Sequence, residues 1–429
     1  MRRRSTTIFI IILLILALLL GYNYFARPFI ADYQEESEKE ALQKQNQEAM
    51  EVFVEEKIAV LEKLTTEEKI GQIMAIPFVL SSDNKIEELG EDGGNYDLSA
   101  TRSAQLQELK PGFVTVFGSR ISLLSAQDQV QALTKTMVAQ RLPPLLAVDH
   151  EGGRVQRFSG EGFTLLPAFG DFCQLETEER QTLLTSSAQE LSHLGINIVF
   201  APVVDIKSRV LGDRSCQDYQ QTLETSREYV AAFGNRRIMA VLKHFPGLGQ
   251  TTKDLHSASN SVDLVADDTM IFTELLNLYP NIGVMTAHLN LNDRLDDQPC
   301  SLSEECLSVF PSDYPMVLLF TDALEMKALS AITASMLQEH QWRSLSDDEF
   351  KIIQKQKDWP LISQLVIASL QAMRAGNHVL VYGQSVNESQ LQIVKNELVA
   401  WYDQDPIFKE KVDLAVTKII AVKNTNNQL

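Results

Sequence analysis

The chain has 429 residues, 45% hydrophobic and 22% charged, which allows one large domain or two ordinary ones. Its formal net charge of -19, with no basic patch to neutralise phosphates, argues against a nucleic-acid partner. The four cysteines include no CxxC pair, which argues against a zinc ribbon.

The N-terminus is read first. Arg2, Arg3 and Arg4 precede an apolar run over 8–20, and Tyr22, Tyr24 and Phe25 follow it. Basic residues stay on the cytoplasmic side, so the remainder is expected outside. The run is short for a span and fits a signal-peptide core, yet its aromatic flank lets it just cross a bilayer. With no lipobox cysteine and no clean small-x-small cleavage site, residues 1–30 read as an uncleaved signal-anchor in preference to a cleaved signal or a buried soluble helix. Residues 31–64, rich in Glu, Gln and Lys, read as a solvated helical stalk. The TTEE of 65–68 is a capping-box pattern that should start a helix, and a single domain is expected from there to residue 429.

From that point short apolar runs alternate with longer helical stretches. The runs cover 71–79, 112–118, 144–149, 196–205, 238–245, 282–288, 316–322 and 378–383. Apolar on both faces, they have the character of parallel strands, and QTLLTSSAQELSHLG and TMIFTELLNLY are helices between them. Eight βα units make an α/β (β/α)8 TIM-type barrel the expected fold. A doubly wound sheet is the alternative, but no glycine-rich phosphate fingerprint follows the first strand. Segments 81–110 and 340–360 look inserted. Cys300 and Cys306 are close enough in sequence to pair in an oxidising compartment, with buried free thiols the other reading for the cysteines.

Ionisable residues collect where the runs end. Asp149 closes the third run and is followed by His150, Glu151 and Arg154. Asp205 closes the fourth, with GDRS at 212–215; Lys243 and His244 lie near the end of the fifth, His288 ends the sixth and Asp322 the seventh. A barrel places its active site at those ends. Any one of these residues alone reads as a structural polar group; five strands together read as a site. Three carboxylates need Arg154, Arg214 and Lys243 among them, and such a pocket suits a ligand rich in hydroxyls. His150, His244 and His288 raise the thought of a metal, but no HExxH or paired-carboxylate pattern supports one, and neither metal nor cofactor is expected.

VDHEGGRVQRF (148–158), GDRS, KHFPGLG (243–249) with DLH (254–256), and FTDALEMKAL (320–329) resemble the motifs of glycoside hydrolase family 3 β-N-acetylhexosaminidases, in the family's order over about 64–383. The resemblance implies a (β/α)8 barrel with Asp322 as catalytic nucleophile and Asp254 with His256 as an acid/base dyad on a loop after the fifth strand. It implies that Asp149, Arg214, Lys243 and His244 hold the sugar's hydroxyls and N-acetyl group, and that Arg154 and His288 line or brace the pocket. The chemistry is coherent. A retaining glycosidase needs a nucleophile and an acid/base. An imidazole with an ordinary pKa near 6.5 can give a proton to the leaving oxygen and later take one from water, with the Asp fixing its tautomer. Gly247 and Gly249 would let the loop swing over bound substrate.

Four positions depart from the family pattern: Leu248 and Leu255 replace polar residues, Ala323 replaces an acid after the nucleophile, and His378 stands where an AGAD-type turn has an acid. The resulting expectation is a retaining exo-β-N-acetylglucosaminidase, with a GlcNAc-containing glycan or muropeptide as substrate and the membrane as its anchor. The competing readings are a β-glucosidase or phosphorylase of the same superfamily and a non-catalytic, membrane-tethered sugar-binding barrel.

Overall fold

The computed structural model describes residues 59–81, 99–251, 261–292, 296, 298–311, 314, 316–337 and 342–425. The chain divides into two compact units, Met1–Ala59 and Val60–Leu429, and everything below concerns the second. The expected anchor at 1–30 lies outside the described residues, as do Asp254, Leu255 and His256. Among the described residues no helix is long and apolar enough to cross a membrane.

Helix α1 (Thr66–Gln72) starts where the capping box predicts. The Thr65 side chain accepts from the Glu68 N–H, and the Glu68 carboxylate accepts from the Thr65 N–H at 2.9 Å, so two otherwise orphaned donors are satisfied. Eight strands follow in chain order: β1 (Met74–Val79), β2 (Phe113–Phe117), β3 (Leu145–Val148), β4 (Ile198–Val199), β5 (Met239–Phe245), β6 (Gly283–Thr286), β7 (Leu319–Thr321) and β8 (Leu380–Val381). Each pairs in parallel with its sequence neighbour, and β8 pairs with β1 through Met74 opposite Leu380. The ring closes between β7 and the start of β8 by a parallel bridge, Phe320 to Val379. All eight predicted runs are strands of this barrel.

Helices α2 (Ala100–Leu109), α3 (Leu123–Met137), α4 (Thr177–His193), α5 (Tyr219–Gly234), α6 (Ala266–Leu278) and α7 (Trp359–Ala375) lie between strands, and α8 (Glu388–Gln404) and α9 (Pro406–Thr425) end the chain. The segment 81–110, expected as an insertion, therefore supplies a barrel helix in its last ten residues. Inside the ring, Phe320 packs edge-on against Phe113 and Phe200, with centroids 5.6 and 5.7 Å apart, so three strands meet in one aromatic layer. The floor is closed by Lys423 of α9. Its amino group is fully buried and donates to Gln72 Oε1 (2.6 Å) and the Pro143 carbonyl (2.7 Å).

Both cystines form: Cys300–Cys306, one of the two readings the sequence left open, and Cys173–Cys216, which the sequence did not suggest.

Candidate active site

Beyond β3 the chain reaches Asp149 and reverses. His150–Gly152 pairs antiparallel with Val155–Gln156, and the turn passes through Gly152 (φ 98°) and Gly153 (φ 55°). A Cβ on Gly152 would lie 2.0 Å from the Pro167 carbonyl oxygen, so only glycine fits. The hairpin carries Arg157 back to Asp149, and its Nη2 donates to Asp149 Oδ2 at 3.0 Å.

From β5, Lys243 enters the same space, 3% exposed, 3.2 Å from Asp149 Oδ1 and 2.5 Å from Glu151 Oε1. Glu151 is gripped on its other side by Arg214, with Nε 2.7 Å from Oε2 and Nη2 2.9 Å from Oε1. The row Arg157, Asp149, Lys243, Glu151, Arg214 thus alternates in sign, which is what buried charges require. Burial opposes ionisation of Asp149, but Lys243 and Arg157 outweigh it and hold the carboxyl at about 2. Burial likewise opposes ionisation of Glu151, and Lys243 and Arg214 push it below its ordinary value. For Lys243 burial is again overcome, by Glu151 and Asp149, and the ammonium is held more firmly than usual.

His244 is fixed by Asp205, whose Oδ2 lies 2.7 Å from Nδ1; Asp205 Oδ1 accepts the Leu248 N–H at 2.7 Å. The peptide bonds Lys243–His244 and Phe245–Pro246 are cis. Gly247 has φ 130°, and a Cβ there would lie 2.5 Å from that of Asp268, the buried carboxyl in the first turn of α6. Leu248 is buried in the core, and Thr251 bonds back to its carbonyl at 2.7 Å.

Asp322 follows β7. Its N–H donates to the Thr286 carbonyl at 3.0 Å, and its Oδ1 accepts the Ala323 N–H at 2.8 Å. Burial would raise its pKa, but His244, His288, the Ala323 N–H and Lys243 together lower it, so it is a carboxylate at neutral pH. His288, fully buried, joins its Nε2 to the Ala323 carbonyl (3.0 Å) and its Nδ1 to Ser301 Oγ (2.6 Å). A carbonyl only accepts, so Nε2 carries a proton, while Nδ1 shares a hydrogen bond with the Ser301 hydroxyl. Asp149, Glu151, Arg157, Arg214, Lys243, His244 and Asp322 share the walls of one cavity of about 450 Å³, with Phe117, Val155 and Phe200 as apolar sides. An ionised carboxylate beside a dense set of donors and acceptors can attack and hold a polyol.

The model of the glycosyl hydrolase family 3 N-terminal domain matches residues 65–346. The chain belongs to glycosyl hydrolase family 3. A β-hexosaminidase of Shewanella frigidimarina is 32% identical over 251 residues, which is 54% of this chain and 72% of that protein. Among solved structures, a family 3 β-N-acetylglucosaminidase from Paenibacillus superposes with a TM-score of 0.67 at 22% identity, over 85% of this chain and 63% of that one. A β-N-acetylhexosaminidase from Beutenbergia cavernae gives 0.63 at 20%, over 84% and 99%. The family makes the protein a glycoside hydrolase.

Of the residues anticipated for a family 3 site, Asp149, Arg214, Lys243, His244 and Asp322 line one cavity. His288 stands behind it, bonded to the backbone beside Asp322. Arg154 does not line the cavity: its side chain is 60% exposed and bonds the Leu211 carbonyl at 3.1 Å. The hairpin gives its place to Arg157, three residues on. Glu151 also lines the cavity without having been singled out. Both lie in the VDHEGGRVQRF motif, and the signal was the Gly-Gly pair, which turns the chain back on Asp149. His150 points elsewhere, to Ser187 Oγ at 2.6 Å, and burial holds its pKa at about 3. The three strand-end histidines thus have three different partners, and among the described residues no cluster is arranged to hold a metal. His378 belongs to the opposite pole, before β8, and does not touch the cavity.

Proposed function

We propose that the protein is a retaining exo-β-N-acetylglucosaminidase that removes terminal GlcNAc, with peptidoglycan fragments as substrate. The observation that carries this reading is the ionised Asp322 carboxylate in one cavity with the alternating row of Arg157, Asp149, Lys243, Glu151 and Arg214. Asp149, Arg157, Lys243, Arg214 and His244 hold the sugar's hydroxyls and N-acetyl group. Asp322 attacks the anomeric carbon, and the bond to the leaving oxygen breaks as that oxygen takes a proton from His256. Water then attacks the glycosyl ester and yields a proton to His256, and the aspartate leaves. Asp254 orients the imidazole. The N-terminal segment tethers the enzyme with its barrel outside the cytoplasm. The two cystines support that location, because such bonds persist in oxidising compartments.

The experiment is Asp322→Asn on an aryl β-N-acetylglucosaminide. Turnover should fall by about three orders of magnitude or more, while affinity for GlcNAc largely survives. Full activity in that variant would sink the assignment.

A further inference from the structure

His378 and Lys418 form a pair at the N-terminal pole of the barrel, away from the cavity. His378 opens the segment leading into β8, and Lys418 lies on α9 with its Nζ 3.0 Å from His378 Nε2. The other ring nitrogen is committed. The Leu319 N–H donates to His378 Nδ1 at 2.8 Å, so Nδ1 presents a lone pair and no proton. A neutral imidazole carries one N–H, which must then sit on Nε2 and point at Lys418. An ammonium has three donors and no lone pair, so it cannot accept that proton. The hydrogen bonds close only if Lys418 is the free amine.

From this proton count we propose that Lys418 sheds its proton more readily than an ordinary lysine and is a nucleophilic modification site for small activated acyl groups. The surroundings agree. His378 is buried, and the charge acting on it besides Lys418 is another cation, Lys411, whose own Nζ is engaged by Glu304 at 3.0 Å. Burial lowers Lys418 to about 8, and burial, then Lys418, then Lys411 lower His378 well below its ordinary range. Lys418 is half-buried, so a small electrophile has access that the fully buried Lys423 denies. In acylation Nζ gives up the His378 Nε2–H, its freed lone pair forms the N–C bond, the bond from the acyl carbon to its leaving oxygen breaks, and the amine proton passes to solvent.

The test is competitive labelling of the full chain with trace acetic anhydride between pH 6 and 10, read by peptide mass spectrometry. Lys418 should reach half-maximal labelling at a pH about two below that of the exposed Lys355. His378→Asp supplies an acceptor that favours the ammonium, and should move Lys418 up to the Lys355 profile. The wild-type profile alone decides the matter if that variant does not fold. Labelling of Lys418 in step with Lys355, or no labelling at any pH, overturns the proposal, as does a folded His378→Asp protein with an unchanged profile.

Discussion

Asp322 stays ionised against the cost of burial because His244, His288 and Lys243 lie on its side of the balance. The sign matters for the pH profile. A carboxyl whose folded pKa is depressed remains charged above its unfolded value of about 3.9 and is neutralised only as pH falls below that. Protonation of Asp322 therefore cannot limit kcat/KM between pH 5 and 8. If His256 is the general acid it must be protonated, so kcat/KM should decline as pH rises through about 6.5, the ordinary imidazole value. His256→Ala should abolish that decline and slow hydrolysis by about 10²–10⁴-fold, less for substrates with good leaving groups. A variant with the same alkaline limb would place the acid elsewhere. Ser301 offers a second residue-scale test. It is hydrogen-bonded to His288 Nδ1, and His288 holds the Ala323 carbonyl, whose residue's N–H in turn holds Asp322 Oδ1. Ser301→Ala takes a partner from a buried ring and should cost about 1–3 kcal/mol of stability. It should also lower kcat several-fold with KM little changed, because the nucleophile shifts and the sugar contacts do not. A loss confined to thermal stability would make Ser301 a packing residue only.

At the level of elements, the strands were legible because each is buried on both faces and reads as an unbroken apolar run. Their lengths were less so. The run over 196–205 shrinks to Ile198–Val199 because Pro202 has no N–H for the ladder, which resumes only as an isolated bridge between Val203 and Lys243. The site was legible where a polar residue directly follows a strand, as at Asp149 and Asp322, or sits among its last residues, as at Lys243. It was illegible where a tertiary reversal decides which of two nearby arginines faces the cavity. Two spacings, Asp149 to Arg154 and Asp149 to Arg157, are equally plausible until the hairpin is built. The dependence on that hairpin can be measured. Gly152→Ala adds a Cβ against the Pro167 carbonyl at a φ that L residues rarely adopt, so the turn must move. The expected result is a loss of more than about 2 kcal/mol in stability and a raised KM, as Arg157 leaves Asp149. An unchanged KM in a folded variant would mean that Arg157 does not contact substrate.

Across the whole molecule, the cystines link function to surroundings. Cys173–Cys216 joins the loops after β3 and β4, next to the turn that presents Arg214, and spans 43 residues. Cys300–Cys306 closes a six-residue separation around Ser301. Loop-closure entropy grows with the logarithm of length, so the long cross-link should contribute about 4 kcal/mol and the short one about 2. Sequence distance, the cue that singled out Cys300 and Cys306, thus points to the weaker of the two. Replacing Cys173 and Cys216 together by serine should lower the denaturation midpoint more than replacing Cys300 and Cys306. Dithiothreitol should destabilise the wild type and leave the four-serine protein unmoved. Activity adds a second reading. Freeing the 216 end loosens Arg214 and its grip on Glu151, so KM should rise, whereas freeing the 300–306 turn loosens the support of His288 and should act on kcat. Equal midpoints for the two double variants, or the reverse order, would show that the cross-links act through native-state packing and not through the unfolded chain.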